Sequence, residues 1–423
     1  MNIFEILESN VRSYCRTFPD VFCAAKGSMM YSESGKEYID FLSGAGALNY
    51  GHNNEFIKQR ILTYISSDNI IHGLDIHTPA KREFIDKLSE IVLKPGNLNH
   101  KIQFCGPTGT NAVEAALKLA RKVKKRTNVF AFMGSFHGMS LGSLSVSSNI
   151  SDREGAGQPL GNVTFMPFPS GFMSNIDTIG YIEAILSDDH SGIEKPAAII
   201  LETVQGEGGV VEAPVEWLRN LRILCDRHEI LLICDEIQTG CGRTGPFFSF
   251  QRAGIIPDMI TVSKSISGIG LPMSLLLIKP ELDIWKPAEH NGTFRGNQLA
   301  FVGGTAALEL SKYENLQGQV KLKESFIKRY FEQEILPISK NLKVRGLGMM
   351  WGIDFSLFSR KDISKKIVSY CYENGLIIER AGRNGSVVKL MPALTVEIEL
   401  LEKGCSIIKK AITEHINRRT ILK

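Results

Sequence analysis

Five short segments of this chain combine residue types that can do chemistry. Gly106-Pro107-Thr108-Gly109-Thr110 is a glycine-rich turn ahead of a helical pattern that starts at Thr110-Asn111. Free N–H groups and the dipole at a helix start, with the Thr110 hydroxyl, suit a phosphate. The same glycines also suit a plain chain turn. Ser135-Phe136-His137-Gly138 offers a flat aromatic face, although an aromatic after a strand also packs into a core. Glu202-Thr203-Val204-Gln205-Gly206-Glu207-Gly208-Gly209 follows another apolar run. Asp235 stands directly after the apolar run Ile230 to Cys234. A carboxylate there is costly to bury unless it meets a positive partner, and a magnesium ligand or a helix cap is the competing reading. Lys264 follows Met259 to Val262 and sits among Ser263, Ser265, Ser267 and Gly268. Taken alone it reads as a surface lysine. As an active amine it would need the lowered pKa that burial gives.

One cofactor unifies a phosphate cradle, an aromatic stacker, a buried aspartate and an active lysine. Pyridoxal 5'-phosphate has a phosphate, an aromatic ring, a pyridine nitrogen to be kept protonated and an aldehyde to be held by lysine. Other phosphate motifs are not matched. The Gly-x-x-x-x-Gly-Lys-Ser/Thr pattern is absent. Gly44-x-Gly46 and Gly268-x-Gly270 lack the third glycine and the strand-turn-helix frame of a dinucleotide fingerprint, and read as turns. Eight cysteines without a Cys-x-x-Cys pair suggest neither a zinc site nor a disulfide framework, so no metal is expected.

These segments need a frame that brings strand ends together. Lys101 to Phe104, Asn128 to Phe132, Ala197 to Leu201, Ile230 to Cys234 and Met259 to Val262 read as strands. Asn111 to Lys124 and Val215 to Arg227 read as helices. Continuous apolar runs such as Ala197-Ala198-Ile199-Ile200-Leu201 fit strands covered on both faces. Alternation of the two predicts an α/β fold around a mostly parallel sheet, in which ligands bind beyond the carboxyl ends of the strands. The ends differ. Residues up to about Leu42 read as a short helix and a hairpin around Glu33-Ser34-Gly35-Lys36, and from about Ser311 a long charged helix, a strand pair near Val344 to Phe355 and a final helix follow. The expected division is a large domain over residues 46–310 and a smaller α+β domain built from 1–45 and 311–423.

Composition bounds the rest. Of 423 residues, 43% are apolar and 22% charged, and the formal net charge is only +4, which gives no reason to invoke nucleic acid. The basic cluster Arg121 to Arg126 reads as the solvated face of a helix whose other side is Ala116, Leu117, Ala120 and Val123. No apolar stretch approaches the length of a membrane span. The start, Met1-Asn2-Ile3-Phe4-Glu5, does not resemble a signal peptide, and a cytoplasmic location follows by elimination.

The stretch Leu232-Ile233-Cys234-Asp235-Glu236-Ile237-Gln238-Thr239-Gly240-Cys241-Gly242-Arg243-Thr244-Gly245, followed by Ser263-Lys264, resembles the signature of the class III aminotransferases. Glu202 with Gln205 to Gly209, and Gly292-Thr293-Phe294-Arg295-Gly296-Asn297, support the resemblance, which covers essentially the whole chain. Glu8 to Arg16, Gly44 to Asn53, Gly106 to Glu114 and Glu289 to Asn297 are similar to the diaminobutyrate–2-oxoglutarate subgroup, which includes an ectoine biosynthesis enzyme. The resemblance implies a type I pyridoxal-phosphate transferase fold, a homodimer with shared active sites, and amino acid and 2-oxo acid substrates. The implied reaction joins L-2,4-diaminobutyrate and 2-oxoglutarate to L-aspartate 4-semialdehyde and L-glutamate.

Carried over by position, the resemblance implies that Lys264 holds the cofactor and shuttles the proton, and that Asp235 keeps the ring nitrogen protonated. Gln238 meets the ring hydroxyl, Phe136 stacks on the ring with His137 beside it, and Gly109 and Thr110 hold the phosphate. Thr293 of the partner subunit completes that phosphate site. Glu207 sits at the substrate end. Lys389 stands where 4-aminobutyrate and ornithine aminotransferases place a carboxylate-binding arginine, and Met139 where the former commonly have arginine. Ala47 stands where the subgroup is expected to carry Ser or Thr. Another class III ω-aminotransferase, a racemase or aminomutase on the same fold, and a non-catalytic protein built on this scaffold are the alternatives. An intact Lys264, Asp235 and Gln238 speak against the last.

Overall fold

A computed structural model describes residues 3–171 and 175–417; Met1 and Asn2, where the reading of the chain's start begins, lie outside them. Three sheets carry the architecture. The first opens with the antiparallel meander β1 (Phe22–Lys26), β2 (Met29–Ser32) and β3 (Glu37–Asp40), whose β2–β3 turn is Glu33-Ser34-Gly35-Lys36.

The second sheet is the core of the molecule. Its strands are β4 (Lys101–Gly106), β5 (Val129–Phe132), β6 (Val163–Met166), β7 (Ala198–Leu201), β10 (Leu231–Asp235), β11 (Met259–Val262) and β12 (Ser274–Ile278). A small hairpin, β8 (Val204–Gln205) and β9 (Val211–Glu212), follows β7. Spatial order in the large sheet is β4-β12-β11-β10-β7-β5-β6. All its strands run parallel except β12, which is antiparallel to both neighbours.

The continuous apolar runs have the expected cause. Successive side chains of a strand point to opposite faces. Ile199, Leu201, Leu232 and Cys234 enter one core, while Ala198, Ile200, Leu231 and Ile233 enter another. The Val215–Arg227 helix covers the first through Trp217, Leu218, Leu221 and Leu224. The Gly109–Lys124 helix covers the second through Ala112, Val113, Ala116, Leu117 and Ala120. A sheet buried on both faces leaves its strand ends as the place where polar groups gather.

The third sheet comes from the carboxyl-terminal part. It joins β13 (Lys343–Leu347), β14 (Met350–Asp354), β16 (Glu379–Ala381) and β17 (Val387–Leu390) in the order β13-β14-β17-β16. The two ends of the chain also meet directly, because β15 (Leu376–Ile377) pairs in parallel with β3. One apolar cluster runs through both ends, from Tyr38, Ile39 and Phe41 to Ile353, Val388, Leu390 and Ile408. Among the described residues no helix is long and apolar enough to cross a membrane.

Candidate active site

A cleft of about 610 Å³ opens at the carboxyl ends of the strands. It is lined by Gly109, Thr110, Phe136, His137, Gly138, Glu202, Glu207, Asp235, Ile237, Gln238, Thr239 and Lys264. Every candidate residue except Thr293 and Lys389 is therefore brought to one place.

At one end, β4 turns through Gly106 into the Gly109–Lys124 helix. The helix cap is Thr108, two residues before the expected start at Thr110-Asn111, because the Asn111 side chain accepts from the Thr108 N–H at 3.1 Å. The first N–H groups of a helix have no intrahelical acceptor. Space is tight at Gly109, where a Cβ would stand 2.8 Å from Ile237 Cδ1 and make that side chain shift. The Thr110 hydroxyl joins a cluster with the Ser140 and Ser143 hydroxyls, at 2.7 Å from the former. Gly138 closes against it with φ +127, where a Cβ would meet Thr110 Oγ1 at 2.5 Å. The two serines were not legible in advance, because nothing in their own neighbourhood marks them.

The floor is built around Asp235, the last residue of β10 rather than the first after it. Its carboxylate is almost fully buried and three groups hold it: Thr261 Oγ1 donates at 2.9 Å, the Ile237 N–H at 3.1 Å, and His137 Nδ1 lies at 2.6 Å. His137 thus lines the cleft and sits against Asp235. Its Nε2 is buried without a hydrogen-bond partner. Glu202, which follows β7, accepts from the Phe136 N–H at 2.9 Å and the Gly206 N–H at 3.0 Å. Burial, reinforced by nearby Asp235 and opposed by His137, pushes its carboxyl up to about 7.

Lys264 opens the 3₁₀ turn Lys264–Ser267 after β11, with φ +51. A left-handed backbone is uncommon for a residue with a Cβ and marks positions that the surroundings over-determine. Burial lowers the Lys264 pKa, Glu207 raises it and Lys389 lowers it again. Burial is the largest of these influences, so the amine is biased toward its neutral, nucleophilic form.

Gln238 bridges two parts of the molecule. Its Nε2 donates to Ala45 O and to Glu207 Oε1, each at 3.3 Å, while its Oε1 is buried without a partner. Glu207 in turn accepts from Lys389 Nζ at 2.6 Å. Lys389, on β17, is fully buried, and its second neighbour is Glu379 Oε1 at 2.9 Å. The alternative of a lysine pointing to solvent is excluded. Glu207 is pulled down to about 2 by Lys389 against the cost of burial. Glu379, with burial as the main cause, is raised. This second carboxylate was not anticipated.

The loop that carries Glu207 is stitched to the third sheet. The Gly382 N–H donates to Glu207 O at 2.8 Å, and Arg345 Nε donates to Gly209 O at 2.8 Å. A Cβ on Gly209 would lie 3.1 Å from Gly382 Cα. Thr293 lies elsewhere, exposed in the turn Thr293–Arg295 beside Phe294, which is itself exposed. Met139 is exposed at the rim.

Comparison with known proteins gives the family and the fold. The family model described as aminotransferase class-III matches residues 15–412. A diaminobutyrate–2-oxoglutarate transaminase of Bordetella parapertussis is 50% identical over 420 residues, covering 99% of this chain and 96% of the relative. One from Sporosarcina pasteurii is 51% identical over 421 residues, covering 99% and 98%. An ornithine aminotransferase structure from Toxoplasma gondii superposes with a TM-score of 0.86 at 23% identity, over 99% of this chain and 94% of that one. At that identity the likeness speaks for the fold.

Proposed function

The chain belongs to the class III aminotransferases, and from that premise we propose that it exchanges an amino group between the 4-position of L-2,4-diaminobutyrate and 2-oxoglutarate. The products are L-aspartate 4-semialdehyde and L-glutamate, or the reverse. The observation that carries the substrate assignment is the match at about half identity along nearly the full length of several diaminobutyrate–2-oxoglutarate transaminases. The cofactor in this reading is pyridoxal 5'-phosphate.

The residues present fit that group. The Gln238 Oε1 acceptor, buried and unpartnered, suits a ring hydroxyl. The hydroxyls of Thr110, Ser140 and Ser143 and the open helix start suit a phosphate. Asp235, held by three neighbours, suits a protonated pyridine nitrogen. Bound there, the cofactor supplies an electron sink for a carbanion. Lys264 Nζ would hold its aldehyde and, once displaced by the substrate amine, would be the base for the proton on the substrate carbon that bears the amino group. His137 would hold Asp235 in place through their 2.6 Å contact, and Phe136, which lines the cleft, would cover the ring. Glu207 receives the far end of the substrate. Residues 46–310 hold the cofactor, and 1–45 with 311–423 form the smaller domain.

The reading includes a homodimer in which Thr293 of the partner subunit reaches the phosphate. What supports it is the exposed position of the Thr293–Arg295 turn outside its own chain's cleft. It also includes a cytoplasmic setting, in keeping with eight thiols, six of them buried. The test is a panel of amino donors with 2-oxoglutarate, with glutamate and the carbonyl product both identified. L-aspartate 4-semialdehyde from diaminobutyrate is the expected product. A 2-oxo-4-amino acid, or much faster turnover of ornithine or 4-aminobutyrate, would overturn the assignment.

A further inference from the structure

The substrate end of the cleft holds an unequal set of charges. Lys389 Nζ lies 2.6 Å from Glu207 Oε1 and 2.9 Å from Glu379 Oε1, so one ammonium serves two carboxylates. The lysine is fully buried and Glu379 nearly so, whereas Glu207 keeps 38% of its side chain exposed and lines the cleft. The two contacts differ in kind. Lys389 donates a hydrogen bond to Glu207 at the cleft and forms a close ion pair with Glu379 inside the sheet. Glu379 is therefore a second buried carboxylate on an ammonium that already has a partner. Burying that extra charge is costly unless another state of the site relies on it.

Chain register supplies that second state. Glu379 and Lys389 are paired residues of the antiparallel β16–β17 ladder, which places their side chains on the same face of the sheet. Glu207 comes instead from the loop before the small hairpin's second strand, and its carboxylate also meets Gln238. Lys389 thus has a fixed partner on its own sheet and a removable one at the cleft. If Glu207 turned to a ligand cation with no second carboxylate present, Lys389 would be left as an unpaired buried charge, which is strongly unfavourable.

We propose that Glu379 is a specificity-determining residue: it is the spare counter-ion that holds Lys389 and frees Glu207 to bind the ammonium of a diamino acid. The inference rests on the functional reading above and deepens it. A diamino acid that reacts through its terminal amine carries an α-ammonium and an α-carboxylate at its far end. A monoamino ω-acid carries only the carboxylate. The cluster of one cation and two anions complements the first and disfavours the second. The dicarboxylate co-substrates meet the same surplus of negative charge, so the site trades part of its affinity for them against affinity for the diamino acid.

Glu379→Gln keeps size and removes the charge. Lys389 then has only Glu207, and the cluster becomes neutral. The KM for diaminobutyrate should rise about tenfold or more, the weight of one charged hydrogen bond. Binding of glutarate, an unreactive dicarboxylate, should tighten in the same variant, read by titration of the bound cofactor's absorbance. Structural damage would weaken both ligands together, so opposite signs are the signature. Glu379→Asp keeps the charge and should hold the ratio of the two affinities within about threefold of the parent. This variant carries the test if the glutamine variant does not fold. Equal shifts for both ligands in Glu379→Gln, or a changed ratio in Glu379→Asp, would overturn the inference. Failure of the parent enzyme to use diaminobutyrate would instead remove the functional reading itself.

Discussion

Glu379 and Lys389 face each other across β16 and β17, and Lys389 Nζ sits 2.9 Å from the Glu379 carboxylate with no exposed surface of its own. A lysine so enclosed is a different object from the arginine that the wider class places there. An arginine would put a longer, forked guanidinium at a fully buried position between two carboxylates. Lys389→Arg should therefore cost about 1–3 kcal/mol through overpacking. Thermal melting of the cofactor-loaded protein measures it, and an unchanged or raised Tm would show that the space adapts.

Lys264 should carry the cofactor. Borohydride treatment followed by peptide mapping should find a pyridoxyl group on this residue, whose amine is pressed toward its neutral form by burial. Label on another lysine would remove the whole reading of the cleft.

Asp235→Asn should retain bound cofactor and lose most turnover. The carboxylate is held by Thr261, Ile237 and His137, so the amide can occupy the same place. A carboxylate beside a ring nitrogen favours the protonated ring by roughly 1–3 pKa units, and the amide forfeits that. Single-turnover rates with the cofactor pre-bound are the measurement, and near-normal kcat would take Asp235 out of the role.

Thr293→Ala should weaken cofactor retention by about 1.5–3 kcal/mol, the range for a hydroxyl bonded to a charged group. Mixing Thr293→Ala with Lys264→Ala chains should restore activity, because one site of each mixed dimer is then intact. No recovery after verified subunit exchange would mean that each site is built from one chain.

Glu202 gives a pH signature. Its carboxyl is raised in the folded protein to about 7 from an ordinary value of 4.5, with burial as the chief cause. The folded state then binds more protons than the unfolded one between those values, so stability falls as pH rises through that window. Its contribution is full below the unfolded value and lost above the folded one. Glu202→Gln cannot titrate. Its Tm deficit against the parent should be largest near pH 5 and narrow toward pH 8. A deficit constant with pH would show that Glu202 is ionised throughout.

The legible part of the molecule was the part where burial is simple. Strands β7, β10 and β11 are covered on both faces, so they carry unbroken apolar runs, and a polar residue at such a run's end, like Asp235, stands out. Lys264 was legible only in combination with the other strand ends, since taken alone it reads as a surface lysine. The direction of a strand leaves no such trace. Ser274 to Ile278 has the same apolar character as its parallel neighbours yet runs opposite to them. β16 is three residues long, too short for a period, and so Glu379 was invisible until the ladder placed it against Lys389. Ser140 and Ser143 were hidden similarly, because their meeting with Thr110 depends on a turn around Gly138 rather than on spacing.

The seam between the Glu207 loop and the third sheet bears on how this protein can be recombined with its relatives. Gly209 approaches Gly382 so closely that a side chain on Gly209 would press the two segments apart, and the Gly382 N–H and Arg345 fix the loop's backbone. A chimera that takes its carboxyl-terminal segment from a relative inherits a surface moulded to that relative's loop. Residues 206–209 and 343–390 should accordingly be exchanged as one cassette. A crossover that separates them would misplace Glu207 while leaving the cofactor residues intact, and the resulting hybrid would be coloured but indiscriminate in its choice of amino donor.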